Sequence, residues 1–145
     1  MPINVEDCIF FMLAKANQAG TRYWTHQLID MNLTAVQAMV LNFLGQQEMV
    51  TSKELGDRTG LDSATLTGVL DRLETSGLIE RQRHPKDRRA VCICLTPDSR
   101  TLVPHIQERL DQANRNFLSG LSQKEQNELR RLLRAVRAGR QETYK

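Results

Sequence analysis

Much of what would mark an enzyme or a membrane protein is missing from this sequence. There is no H-E-x-x-H, G-x-S-x-G or P-loop pattern, and the glycines sit where helices would stop. His26, His84 and His105 are scattered, and the three cysteines, Cys8, Cys92 and Cys94, are an odd number without a C-x-x-C pair. Neither a disulfide framework nor a zinc site is signalled, so reduced thiols and no cofactor are expected. The longest purely apolar run, IFFMLA, is far too short to span a bilayer, and the opening MPINVEDC is acidic where a signal peptide carries a basic segment. A cytoplasmic protein without membrane contact is expected. Repeats, low-complexity tracts and Gly/Ser-rich linkers are also absent. A chain of 145 residues with 40% hydrophobic content suits a single domain over 1–145 with a real core.

What is present is capping chemistry. Asn4 fits the cap of a first helix running towards Met31, where Asn32 suits a left-handed stop. Thr34 with Gln37, Thr51 with Glu54, and Ser122 with Glu125 each fit the capping box, in which two side chains satisfy amide donors at a helix start. Gly60 and Gly77 fit C-terminal stops, Asp62 or Ser63 an N-cap, and Thr96-Pro97 an N-cap followed by proline at the first helical position. Six helices are predicted, at about 4–31, 34–46, 51–59, 63–76, 97–119 and 122–140. Between Gly77 and Thr96 the pattern changes. LIERQR and RAVCICL are short, the second alternates and is rich in β-branched residues, and HPKD between them holds the proline of a turn. A β-hairpin is predicted, with Val91, Ile93 and Leu95 on one face and Ala90, Cys92 and Cys94 on the other. The fold class is mainly α with a small β-hairpin.

Charge concentrates at that hairpin. The net charge of the chain is only +3, yet Arg81, Arg83, Lys86, Arg88 and Arg89 share residues 81–89 with a single acid, Asp87. Immediately before it, TSKELGDRTGLDSATLTGVLDRLETS reads as two short helices joined by a tight TGLD connection, with Leu55, Leu61, Leu66, Val69, Leu70 and Leu73 available for a shared core. That is helix-turn-helix spacing. The second helix of such a unit enters the DNA major groove, so its exposed face needs small polar side chains early and cations later. Ser63, Thr65, Thr67, Gly68 and Arg72 meet this requirement, and Thr51, Ser52 and Lys53 suit backbone contacts at the preceding helix. A lone charge run is usually a solvated hairpin that blocks edge pairing. Directly after a helix-turn-helix it reads as a wing, with Arg83, Lys86, Arg88 and Arg89 facing phosphates and a minor groove of double-stranded DNA.

The segment LDSATLTGVLDRLETSGLIER, followed by DRRAVCICLT, resembles the recognition helix and wing of the MarR family of bacterial transcription regulators. The resemblance covers nearly the whole chain, with its specific motifs in 51–96. It implies a winged helix-turn-helix over 34–96, flanked by dimerisation helices over 1–33 and 97–145, and a homodimeric repressor acting on a pseudo-palindromic operator. It also implies that Asp87 and Arg89 match an Asp-x-Arg wing motif in which the arginine enters the minor groove and the aspartate orients it through a charge-assisted bond. One departure is Ser99, where family members often carry glycine; it bears on local packing.

The outer helices permit a dimer independently. Val103, Ile106, Leu110, Ala113 and Phe117 repeat at steps of three and four, as in a helical seam, and Ile9 and Met12 lie on an apolar stripe of the first helix. Leu129 and Leu133 belong to a further stripe near the C-terminus. Family members commonly release DNA when a small aromatic acid binds, or when a cysteine is oxidised. Phe11, Lys15, Met39 and Phe43 are the candidates to line an effector cleft, although such residues at helical spacing are more often plain core. Cys8, near a helix start, is the redox candidate, with a buried structural thiol the favoured reading. Two other classes stay open: a metal-binding protein or small enzyme using Cys92, Cys94 and His84, and a winged helix used only for protein contacts.

Overall fold

In the computed structural model of the chain, which describes residues 1–141, the helices are α1 Ile9–Gln27, α2 Ala35–Gln46, α3 Ser52–Thr59, α4 Ser63–Thr75, α5 Pro97–Phe117 and α6 Gln123–Gln141. All three capping boxes form. Thr34 accepts the Gln37 amide at 3.1 Å while the Gln37 side chain accepts the Thr34 amide at 3.0 Å, and the pairs Thr51–Glu54 and Ser122–Glu125 repeat the exchange. Asp62 accepts from the Thr65 amide and hydroxyl, both at 2.8 Å, and these bonds hold its carboxyl below the ordinary carboxylate range. Gly60 and Gly77, each at φ 73°, supply the predicted left-handed stops.

The first helix departs from expectation. Asn4 caps only a 3₁₀ turn, Val5–Asp7, and extended backbone at Cys8 separates that turn from α1. At its other end α1 stops at Gln27, because Arg109 donates to the Gln27 carbonyl at 2.7 Å in place of a further helical turn. A second 3₁₀ turn, Ile29–Met31, then leads to Asn32 at φ 55°. Arg109 also grips Asp30 with two bonds of 2.6 and 3.0 Å, and this contact holds the Asp30 carboxyl low.

The predicted hairpin is present as β2 Ile79–Arg83 and β3 Val91–Leu95, but it belongs to a three-stranded antiparallel sheet. The unexpected strand is β1, Val50–Thr51, which pairs with β3 through Val50 opposite Ile93. Met49 enters it at φ 56°, a conformation that bulky residues seldom adopt. With β1 on one side and β2 on the other, β3 is the central strand. Cys92, Ile93 and Cys94 are consequently all buried, so the centre of the strand is covered on both faces, while Val91 is exposed.

Two compact units are distinguished, residues 1–111 and residues 112 onward. The last four positions of the expected C-terminal arm, 142–145, lie outside the described residues. In the first unit the core gathers Leu28, Leu41, Leu55, Leu70, Leu73, Ile79 and Ile93. Val103 and Ile106, expected in a dimer seam, belong to this same core; periodicity showed an apolar face on α5 without showing which partner it meets. Ser99 is fully buried, yet satisfied: its hydroxyl donates to the Thr96 carbonyl at 3.1 Å, its amide donates to Thr96 Oγ1, and Thr96 in turn donates to the Gly77 carbonyl at 2.7 Å. A serine at this position therefore fits the packing. In the second unit, the Gln126 side chain donates to the carbonyls of Leu118 and Leu121, closing the turn before α6.

Helix α2 approaches α5 closely at Gly45, where an added Cβ would lie 2.6 Å from Val103 Cγ1. Gly45→Ala should therefore destabilise the fold by about 1–3 kcal/mol through overpacking. Combining it with Val103→Ala should cost less than the sum of the two single changes, as read from urea unfolding midpoints of the four proteins.

Candidate nucleic-acid interface

Helices α3 and α4 meet across a groove lined by Ser52, Lys53, Gly56, Ser63, Leu66 and Thr67. It brings together four of the polar positions expected to face DNA, at the amino ends of both helices, where free amides favour phosphate. Thr51 is half-buried as the α3 cap, whereas Thr65, Gly68 and Arg72 are exposed on α4. Thr65 and Thr67 have committed their hydroxyl protons, Thr65 to Asp62 and Thr67 to the Ser63 carbonyl, both at 2.8 Å. They therefore present acceptor lone pairs and methyl groups outward. Gly68 has nothing within 4 Å of where a Cβ would stand. No neighbour in the chain requires this mid-helix glycine, which costs about 1 kcal/mol relative to alanine.

The cationic hairpin separates into two kinds of arginine. Arg81 points back at α4 and pairs with Asp71 at 2.8 Å and Glu74 at 2.9 Å, with only 27% of its side chain exposed. Arg83, Lys86, Arg88 and Arg89 are exposed at and beyond the end of β2, and none has an ion-pair partner among the described residues. The turn between the strands organises itself: the His84 amide donates to the Ala90 carbonyl at 2.9 Å, the Lys86 amide to His84 Nδ1 at 3.1 Å, and the Ala90 amide to the Asp87 carbonyl at 3.1 Å. Asp87 Oδ1 accepts from the backbone amide of Arg89 at 3.0 Å. The expected contact between Asp87 and the Arg89 guanidinium is thus replaced by one that fixes the backbone and leaves the guanidinium to project. An aspartate two residues ahead of an amide reaches it more readily than it reaches the end of a long side chain.

The MarR family model matches residues 33–91. The HTH-type transcriptional regulator MgrA of Staphylococcus aureus is 34% identical over 134 residues, 92% of this chain and 90% of its own. The chain belongs to the MarR family. Solved structures agree over nearly the whole length. Bordetella bronchiseptica BpsR, whose DNA binding is regulated by 6-hydroxynicotinic acid, is 30% identical with a TM-score of 0.88, covering 94% of this chain and 97% of that one. A mutant of E. coli MarR complexed with operator DNA is 25% identical with a TM-score of 0.83, covering 93% and 99%. This MarR-family chain thus has the winged helix-turn-helix fold of transcription regulators.

The remaining expected sites in this MarR-family chain are only partly assembled. Met39 and Phe43 do line one cavity of about 450 Å³, together with Thr21, Trp24, Asn42 and Leu110. Phe11 and Lys15 are absent from it. They are exposed earlier on α1, where the Lys15 ammonium sits 5.6 Å from the Phe11 ring centre. Behind the cavity the Arg58 guanidinium of α3 stacks on Phe43 at 4.7 Å and donates to Gln46 at 2.9 Å. Sequence reasoning missed Asn42, although a single amide within the apolar run Ala38–Leu44 was a legible signal.

Cys8 is half-buried at the start of α1, where a buried thiol was expected. Cys92 and Cys94 are free thiols inside the sheet, and burial pushes the Cys94 thiol up. His84 lies beyond the end of β2, and no group of three or more metal-binding side chains exists among the described residues, so Cys92, Cys94 and His84 do not converge. Of the expected dimer positions, Ile9, Met12, Phe117 and Leu133 are exposed, Leu129 and Leu110 half-buried. No described helix is long and apolar enough to cross a membrane.

The split between the two kinds of arginine is measurable. Arg81→Ala should lower the thermal midpoint by roughly 2–5 °C, because it strands two acids on α4 and unpins the wing. Arg83→Ala, two residues along the same strand, should leave the midpoint unchanged within error by differential scanning fluorimetry.

Proposed function

We propose that this chain is a cytoplasmic, homodimeric repressor that holds a pseudo-palindromic DNA operator through residues 34–96 and lets go when a small aromatic molecule enters the Met39–Phe43 cavity. The observation that carries the DNA reading is the set of four exposed wing cations without ion-pair partners among the described residues, set beside an α4 face opened by Gly68. Cations left unpaired by the fold are free to displace counterions from phosphate, and arginine suits the negative potential of a narrow minor groove. Gly68 lets the helix backbone come close to base edges, a use consistent with its having no role in the packing of the chain itself.

One recognition helix reads only a few base pairs, so discrimination against a genome requires two copies. We assign pairing to Ile9 and Met12 in the first unit and to Phe117, Leu129 and Leu133 in the second, each packing against the partner copy, rather than to Val103 and Ile106. Two-fold pairing sets half-site centres about 10 base pairs apart. Release follows from the cavity wall. An occupant that shifts Phe43 or Gln46 acts directly on Arg58, and so on α3, the first helix of the DNA-reading pair.

Gly68→Ala should raise unfolding stability by about 0.5–1 kcal/mol while weakening operator binding, a pairing of signs that only a surface reserved for a partner produces. Arg89→Ala should preserve stability, weaken binding about tenfold and make its salt dependence shallower. Fluorescence anisotropy on an operator recovered from genomic fragments measures both; unchanged affinity in the two variants removes α4 and the wing from the function. Leu133→Glu should yield a monomer by light scattering with binding lost in parallel. A wild-type monomer that binds one half-site at full strength would contradict the dimeric reading.

A further inference from the structure

The outer face of α4 is short of one kind of group: side chains that can donate a hydrogen bond. Its exposed threonines have all spent their hydroxyl protons inside the chain. Thr65 donates to the Asp62 carboxylate at 2.8 Å, Thr67 to the Ser63 carbonyl at 2.8 Å and Thr75 to the Asp71 carbonyl at 2.9 Å. Asp71 and Glu74 are acceptors already matched to Arg81. Ala64 and Gly68 offer a methyl group and bare backbone. Of the exposed α4 side chains, only Ser63 and Arg72 are left to donate.

This shortage is selective, because base pairs differ in what they show the major groove. Guanine sets two acceptors, O6 and N7, side by side and is read best by a two-pronged donor. On α4 only the Arg72 guanidinium is of that kind. An A·T pair shows an amino donor on adenine together with the methyl group of thymine, whereas a G·C pair has an amino donor and no methyl. A threonine whose proton is committed is the complement of A·T: its oxygen accepts from the amino group while its own methyl packs on that of thymine. We propose that Thr65 and Thr67 are specificity-determining residues that select A·T pairs in the operator through the thymine methyl group. The proposal rests on the DNA reading of α4 and adds which bases that surface prefers. Both threonines lie in the first two turns, the end of a recognition helix that contacts base edges, and Gly68 beside them lets the helix come close. Turning the Thr65 hydroxyl outward to serve as a donor would give up a charge-assisted bond to the residue that caps the helix, so the acceptor state is the one presented.

The test uses the full chain and an operator recovered by selection from random duplexes. Uracil, which lacks only the methyl group of thymine, replaces it at one symmetric pair of positions at a time. At one or more such pairs, binding measured by fluorescence anisotropy should weaken about tenfold, the loss expected for one buried methyl in each half-site. Thr65→Ser and Thr67→Ser keep the hydroxyl and its internal bond and remove only the methyl. The variant whose methyl meets a given thymine should bind the unmodified operator about tenfold more weakly, yet bind the uracil version no worse than that, within about twofold. Such coupling between one side chain and one base is not produced by a threonine that merely holds the helix. Operator binding that ignores uracil at every position, or that keeps its full uracil penalty in both serine variants, overturns the proposal and leaves the DNA reading standing. If the selection recovers no preferred duplex and binding is absent altogether, the DNA reading falls and takes the proposal with it.

Discussion

The winged helix-turn-helix of the first unit depends on one central strand, β3. The chain enters the helix-turn-helix from β1 and leaves it along β2, and both strands pair with β3: Ile93 lies opposite Val50 on one side and Arg81 on the other. Residues between the two flanking strands are therefore held as a loop whose ends are tied to the same backbone. Burial of Cys92, Ile93 and Cys94 on both faces anchors that backbone in the core, so α3, α4 and the wing take their positions from a common reference. Arg81 adds a second tie, from the wing directly to Asp71 and Glu74 of α4.

This arrangement explains how a modest excess of positive charge becomes a directed one. The chain carries only a few more bases than acids, and the fold spends them unequally. Arg81, Arg100, Arg109 and Arg131 are matched to acids and serve the structure. The wing arginines are held away from carboxylates, and the one acid among them, Asp87, turns to the backbone. Local self-pairing of the turn through His84 and Asp87 keeps the loop ordered without consuming any of its cationic side chains.

What could be read in the sequence was whatever is decided locally. The capping boxes, the Asp62 cap and the glycine stops formed because their partners lie within four residues, and the sequence states both halves of each contact. The hairpin and the family resemblance were legible for the same reason. Strand β1 was not, since two residues have no periodicity and their identity as a strand comes from pairing with residues far along the chain. The apolar repeat on α5 was read correctly as a buried face and assigned to the wrong partner: Val103 and Ile106 turn into the core, and Phe117 is left exposed. Periodicity gives direction around a helix axis, never the identity of what lies opposite. Likewise Phe11 and Lys15 share helical spacing with one another but lie along α1 away from Met39 and Phe43, a separation that only the packing of α1 on α2 reveals.

The central position of β3 has a consequence during synthesis. It is the last of the three strands to be made, and it completes pairings with a strand begun about forty residues earlier. Until Leu95 has left the ribosome, α3 and α4 can form their capped turns but have no backbone to close upon, and Leu55, Leu70 and Leu73 remain short of their core partners. The order of strands thus makes the winged helix-turn-helix a late product of the nascent chain, locked only when the strand beyond the wing arrives.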